Sequence, residues 1–518
     1  MQSNYNKDMY RQMEELFSKV ESLTATVERM TAEKKADKKR IRELENTVKK
    51  LTVKTERQES ELQKKDEELL RLKKEVAELT KNNAILQEEV TRLKSEKNNN
   101  SSNSSNPPSK DQKSTKKANE YNSRTKTGRK RGGQTGHKGT TLTKEKAEEL
   151  IASGSCKHTI KEHGEKSNGA YTTKYELDIT VEAEVIEHRI YGNSGAQTLP
   201  DSEVFYGARV KALVAMLYSV GAVSVKRIQD IISSITDGIL DLSAGAIYGF
   251  FKKLAEQAKE SLKKIETHIM DGTVAYTDAT VITVDGKQAY IRNVSNQDAV
   301  RYYAMSKKDL KTLGDIHLLA RFAGTLVHDH ETSLYHFGIE HGECNVHLIR
   351  YLLKNTEDCS TTWSGKLTEL LYEMKKRRDE LVENSGETQL PESEYDQFFH
   401  RYDEIIAEGR RENQATKPKW AKQEENALLN RLEKYKTNHL LFLRNFEVAF
   451  SNNMSERDLR KCKNRQKLIG GFRSTDGATL FADILSLVET AKRQKKNVFD
   501  TILGIFRSCA PAFDFSMG

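Results

Sequence analysis

Nowhere in the 518 residues does an apolar run approach the roughly 20 residues that a bilayer-spanning helix needs. The most apolar stretch, around Leu213 to Val225, follows Lys211 and precedes Lys226 and so reads as a buried core helix. With a polar N-terminus as well, neither a membrane partner nor a secretory leader is expected. Cysteine is scarce too. Cys156, Cys344, Cys359, Cys462 and Cys509 are scattered without paired spacing, which excludes a disulfide framework and points to a reducing, cytoplasmic compartment. Nor is there a large excess of one charge: 85 Lys and Arg against 76 Asp and Glu leave a net +9, so the placement of charge matters more than its sum. With 36% hydrophobic and 31% charged residues, part of the chain is expected to be extended or coiled. The length calls for three or four structural units.

What is present begins with a heptad pattern. From Met13 to Leu93 one seam position carries Met13, Val20, Val27, Ile41, Val48, Leu62, Leu69, Val76 and Val90. The other carries Leu16, Leu23, Met30, Leu44, Leu51, Leu72, Leu79, Leu86 and Leu93. β-Branched residues at a with Leu at d favour parallel dimers, and Asn83 at an a position is a register device because a buried amide is tolerated where it meets its twin. Residues 1–97 are therefore expected to form a coiled-coil homodimer, its heptads from Met13 to Leu93 making a rod about 120 Å long at 1.5 Å per residue. The competing interpretation is one long solvated helix.

Residues 98–123 hold almost nothing that could bury surface and read as a flexible linker, leaving the coil tethered rather than docked. In 124–145, Arg124, Lys126, Arg129, Lys130, Arg131, His137 and Lys138 alternate with glycines. Clustered cations on a chain that can approach closely suit the phosphates of double-stranded DNA, although a charged linker would look similar. Alternation from Tyr171 to Ile190 predicts two short strands, a small β unit in 146–205. Residues 206–270 are helical in pattern, broken at Gly221, Gly238 and Gly245, and read as a helical DNA-binding domain.

The chemistry lies beyond. Residues 273–284, TVAYTDATVITV, form a β-branched run with Asp278 in its middle, a costly charge on a buried strand unless it meets a cation. Asp285-Gly286 is a hairpin signal, after which KQAYIRNVS returns antiparallel and AVRYYAMS adds a third strand. A helical crossover leads to GTLVHDH, a short strand ending in Asp329. This order predicts an α/β (α+β) fold of the ribonuclease-H-like, retroviral-integrase-like kind, with the fourth strand parallel to the first and Asp278 beside Asp329. Two carboxylates so close repel unless divalent cations sit between them. A later helix, SNNMSERDLRKCKNRQ, offers Glu456 as a third carboxylate, capped by Asn452, Asn453 or Ser455 and backed by Arg457 and Arg460, cations suited to a charged polymer. Glu489 competes for that place. Residues 271–352 and 451–495 would form the two parts of the catalytic core around a helical insertion, 353–450, with 496–518 as a tail.

GRKRGGQTGHKG, YTDAT, VHDHETSLY followed by CNVHLIRYL, and NNMSERDLRKCKNRQKLIGGFRSTDGATLFADILSLVETAKRQ together resemble the insertion-sequence-66 family of bacterial DDE transposases, in the family's order from about residue 125 to 505. The resemblance implies that Asp278, Asp329 and Glu456 are a catalytic triad holding two Mg²⁺ ions, with Mn²⁺ able to substitute. It further implies cleavage at the terminal inverted repeats of an insertion element and strand transfer into target DNA, with element-encoded accessory proteins as further partners.

The sequence also departs from the family. Where members carry a zinc ribbon built from two cysteine pairs, only Cys156 stands here, near His158 and His163, so bound zinc is not expected there. Ala279 replaces a Glu common after the first aspartate; its side chain points to the opposite strand face. Cys344 and His347 recur in the family and read here as a structural pair shaping the pocket. These departures motivate an alternative, a catalytically decayed coiled-coil protein that binds and bridges DNA without cutting it.

Overall fold

A computed structural model describes residues 20, 22, 26–27, 29–31, 34–45, 62–100, 103–104, 142–163, 172–190, 199–200, 202–508 and 511–515. By contact the chain divides into two units, 1–118 with 202–228 and 243–518, and 119–201 with 229–242. The basic cluster Arg129, Lys130, Arg131, His137 and Lys138 lies outside the described residues, as do Leu16, Leu23 and Leu51.

In the larger unit, α1 (Leu62–Lys97) is the C-terminal part of the heptad region. The described stretch 34–45 is also helical, yet Arg40 donates to Glu78 at 3.0 Å. On one continuous helix these residues would stand about 57 Å apart. Among the described residues the two stretches therefore lie side by side rather than end to end along one rod. Seam residues Val76, Leu79, Asn83, Leu86, Val90 and Leu93 are exposed.

In the smaller unit, α2 (Lys144–Ala152) is capped by the Thr143 hydroxyl, and Tyr175 donates to Glu148 at 3.1 Å. The two strands expected there are not formed among the described residues: 172–190 pair with nothing in a ladder and stand largely exposed. Alternation predicts a strand only if its apolar face finds a layer to cover it, and Ile179 and Val185 remain open to solvent.

Four helices precede the sheet, α3 (Ala208–Ser219), α4 (Val225–Ile235), α5 (Ala244–Gln257) and α6 (Lys259–Met270). Gly221 and Gly238 lie between helices as their sequence context suggests, whereas Gly245 sits inside the first turn of α5 behind the Ser243 cap.

The sheet follows: β1 (Val274–Val284), β2 (Lys287–Ser295), β3 (Val300–Met305), then α7 (Leu310–Gly314), α8 (His317–Arg321), β4 (Thr325–His328) and β5 (Glu340–Glu343). Its order is β3-β2-β1-β4-β5. β1 to β3 form an antiparallel meander whose first turn, Asp285-Gly286, takes positive φ at both residues (49° and 69°), the geometry that matches strand twist in a two-residue hairpin. β4 runs parallel to β1, and β5 parallel to β4. β2 from Ala289 onward and all of β3 are buried, as a sheet covered on both faces requires.

After β5 the chain enters α9 (Asn345–Cys359), α10 (Trp363–Asn384), α11 (Glu392–Asn413), α12 (Lys419–Lys434) and α13 (Lys436–Arg444), then returns as α14 (Asn453–Ile469), α15 (Thr475–Arg493) and α16 (Val498–Ser508). α14 lies along β1 and β2, and α15 along β3. The inserted helices share one apolar core with the sheet, in which Tyr276 and Val327 meet Trp363, Leu367, Tyr402, Leu429 and Phe442. Inside the insertion, the fully buried Glu425 accepts from Trp363 Nε1 (2.7 Å), Thr416 (2.6 Å), Asn413 (2.8 Å), Thr361 (3.1 Å) and Asn355 (3.3 Å), so its charge is met by five donors.

The end of the coil is docked, not merely tethered. Ser95 donates to Asp358 at 2.6 Å, and the buried Asn103 donates to Glu357, also at 2.6 Å, both at the C-terminal end of α9. Asn100 N–H closes on the Asn103 side chain at 2.8 Å. Asparagines that form such local turns give a polar segment a fixed shape that composition alone does not reveal.

Candidate active site

Three elements bring the site together. The parallel register pairs Tyr276 with Val327, so two residues further on Asp278 stands level with Asp329, just past the last residue of β4. α14 supplies Glu456 from its first turn. The helix start is fixed by Asn452, which does not cap with its side chain: its amide donates instead to Thr277 O at 2.8 Å, and its backbone N–H to Cys344 Sγ at 3.2 Å. One buried asparagine thereby ties α14, β1 and the start of α9 around the carboxylates.

Asp278 is half-buried; its backbone N–H donates to the Asn293 side chain (3.1 Å), whose amide in turn meets Asp458 (3.2 Å). Burial, with the charge of Asp329 next and of Glu456 after it, pushes the Asp278 carboxyl up to about 6, against the weaker pull of Lys463 and Lys308. His347, buried on α9, stands between the other two acids: Nδ1 is 2.9 Å from Asp329 Oδ1, and Nε2 is 3.6 Å from Glu456 Oε1 and 3.0 Å from Arg350. Burial works against a charge on His347, but Asp329 and Cys344 outweigh it and hold the imidazole protonated well above its usual range. Among the described residues, the group of potential ligand atoms all within 4.8 Å of one another is Asp329, Cys344 and His347. Cys344 and His347 thus face Asp329 directly.

Arg457 and Arg460, expected to back Glu456, are exposed on α14. Glu489 is buried on α15 and engaged by Lys461 and by Lys492 (2.9 Å), which makes it a tie between helices. Three contributors escape a reading of the sequence, Lys308, Lys463 and the buried pair of Arg292 with Glu331, joined twice at 2.7 Å, while Asn452, expected as a cap, acts through Thr277 instead. Lys463 had a signal, since it lies seven residues after Glu456 and so on the same helix face.

Beside these acids, Glu343 ends β5. Its carboxylate accepts from Arg431 at 2.7 Å and from Tyr335, with His330 and His439 each at 3.2 Å. Burial would raise it, but His439 and Arg431 outweigh burial and hold it well below the usual carboxylate range.

A family model described as Transposase IS66 family matches residues 203–480, just over half of the chain. The chain belongs to this family. The matched span contains all three carboxylates, Cys344, His347 and the helical insertion, and it begins after the basic segment. No curated protein matches the chain. Membership makes this a transposase-type enzyme, whose family acts on DNA. No described helix is long and apolar enough to cross a membrane.

Proposed function

We propose that this transposase-family chain binds the terminal inverted repeats of an insertion element and cleaves and joins DNA with divalent metal ions held by Asp278, Asp329 and Glu456. The observation that carries the proposal is the β1–β4 register, which stations Asp278 level with Asp329 at the centre of the sheet. Strand order and the parallel β4 support a ribonuclease-H-like assignment of the core.

The donor set fits hard cations. Glu456 Oε1 is buried without a hydrogen-bond donor, and Asp278 is crowded by negative charge, so oxygen ligands are in surplus where positive charge is short. When bound, a pair of Mg²⁺ ions would activate the attacking hydroxyl and neutralise the leaving oxygen of the scissile phosphodiester. The chain's own residues do the rest. The sheet fixes Asp278 and Asp329, Asn452 fixes the start of the helix bearing Glu456, and the exposed Arg457 and Arg460 offer charge to the phosphates on either side. His347 keeps Asp329 and Glu456 from repelling each other while no cation lies between them.

Cleavage of cognate end DNA by the purified chain is expected to require Mg²⁺ or Mn²⁺, and to fall on the order of 10³-fold or more in Asp278→Asn and Asp329→Asn, as loss of a metal ligand removes several kcal/mol of transition-state stabilisation. Undiminished nicking in both variants would remove these residues from the mechanism. DNA binding with no cleavage by the wild type would favour the alternative of a decayed, DNA-bridging protein.

We further propose a homodimer through the N-terminal helices, because the seam from Val76 to Leu93 stays exposed beside its own chain. Light scattering should report a monomer once residues 1–97 are removed; an unchanged dimer would refute this assignment.

A further inference from the structure

Hard magnesium accounts for the carboxylates but not for the sulfur and nitrogen beside them. Cys344 and His347 are both buried, one at the start of α9 and the other on its first turn, and with Asp329 they place one S, one N and one O donor within 4.8 Å of one another. His347 Nδ1 faces Asp329 Oδ1 at 2.9 Å, so the ring nitrogen and the carboxylate converge on one point. On the far side of the ring, Nε2 lies 3.0 Å from Arg350 and 3.6 Å from Glu456 Oε1, which fixes the plane of the imidazole.

We propose that Asp329, Cys344 and His347 form a second metal site, specific for zinc-class ions, which shares Asp329 with the magnesium-binding carboxylates. Sulfur and imidazole donors select Zn²⁺ or Co²⁺ and are poor ligands for Mg²⁺. Three protein ligands leave a tetrahedral ion with one open position. Occupancy engages an Asp329 oxygen, so zinc and magnesium compete for that carboxylate. The competition rests on the proposed role of Asp329 in cleavage; the binding does not.

The test uses the full-length, metal-stripped chain titrated with Co²⁺, whose thiolate charge-transfer absorption reports a Co–S bond, followed by displacement with Zn²⁺. One equivalent per chain with that absorption is expected. Cys344→Ser should abolish the band, and His347→Gln, which leaves the thiol in place, should weaken Co²⁺ binding at least about tenfold, as expected for loss of a metal ligand's contribution. Asp278→Asn and Cys156→Ser should leave band and affinity unchanged. The proposal is overturned if the wild type shows no band at saturating Co²⁺, if the band survives in Cys344→Ser, if it disappears in Cys156→Ser, or if His347→Gln binds like the wild type. Far-UV circular dichroism on Cys344→Ser separates loss of the site from loss of the fold, and His347→Gln decides the matter if that variant does not fold. A band without any Mg²⁺-dependent cleavage would sink the enzymatic assignment and uphold this site; cleavage without a band would do the reverse.

Discussion

Two acidic side chains on the same sheet have opposite surroundings. Glu343 at the end of β5 is met by Arg431, His439, His330 and Tyr335, and is held well below the usual carboxylate range. Asp278, two strands away on β1, is pushed up to about 6 by burial and by Asp329 and Glu456. The first fastens inserted helices α12 and α13 to the edge of the sheet. The second is kept at a cost to the fold, in keeping with the cation-binding role proposed for it.

Neutralising each acid separates the two roles by sign. The largest change in stability is expected from Glu343→Gln, which leaves Arg431 poorly compensated in a buried setting and should destabilise the protein by about 3–5 kcal/mol at neutral pH in denaturant unfolding. A loss below about 1 kcal/mol would make the cluster no more than a surface ion pair.

Asp278→Asn should do the opposite, stabilising the metal-free protein at pH 7 by on the order of 1–3 kcal/mol. Destabilisation by this substitution would mean that the carboxylate is needed for the fold. The pH dependence follows the same signs. Because the folded value of Asp278 is raised, its favourable contribution is present below the ordinary carboxylate range and is lost as pH rises through about 6. For Glu343, with its folded value depressed, the contribution is present above the ordinary range and is lost as pH falls through the folded value. The advantage of Asp278→Asn over the wild type should therefore open between about pH 4 and pH 6 and persist above.

The smallest effect sharpens the contrast further. Saturating Mg²⁺ should raise the melting temperature of the wild type by roughly 2–4 °C, the shift expected of about 1 kcal/mol in a large domain. It should leave Asp278→Asn unmoved, and an equal rise in both would place the cation elsewhere.

Much of this site was legible in the sequence because strand pairing obeys short-range rules. The β-branched run around Asp278 and the Asp285-Gly286 turn define the meander, and the parallel β4 follows from the crossover between β3 and β4. β5 was not legible: Glu340, His341, Gly342 and Glu343 carry no strand preference, and they pair because β4 offers an edge and Val448 and Val327 close on Gly342, where a Cβ would meet them at 2.9 and 3.2 Å. That strand delivers Cys344 and His347 to Asp329. The heptads were equally plain as a pattern but did not imply one rod, since a seam of apolar residues can be satisfied by its own chain or by another.

The sequence by itself determined where β1 to β4 and α14 lie, and that Asp278, Asp329 and Glu456 stand on or beside them, because period and turn chemistry act over a few residues. Only the tertiary structure decided which acids are balanced and which are not. A carboxylate's partners, Arg431 for Glu343 and Asp329 for Asp278, come from elements far apart along the chain. Their charges meet only once the sheet has closed and water has been excluded around them.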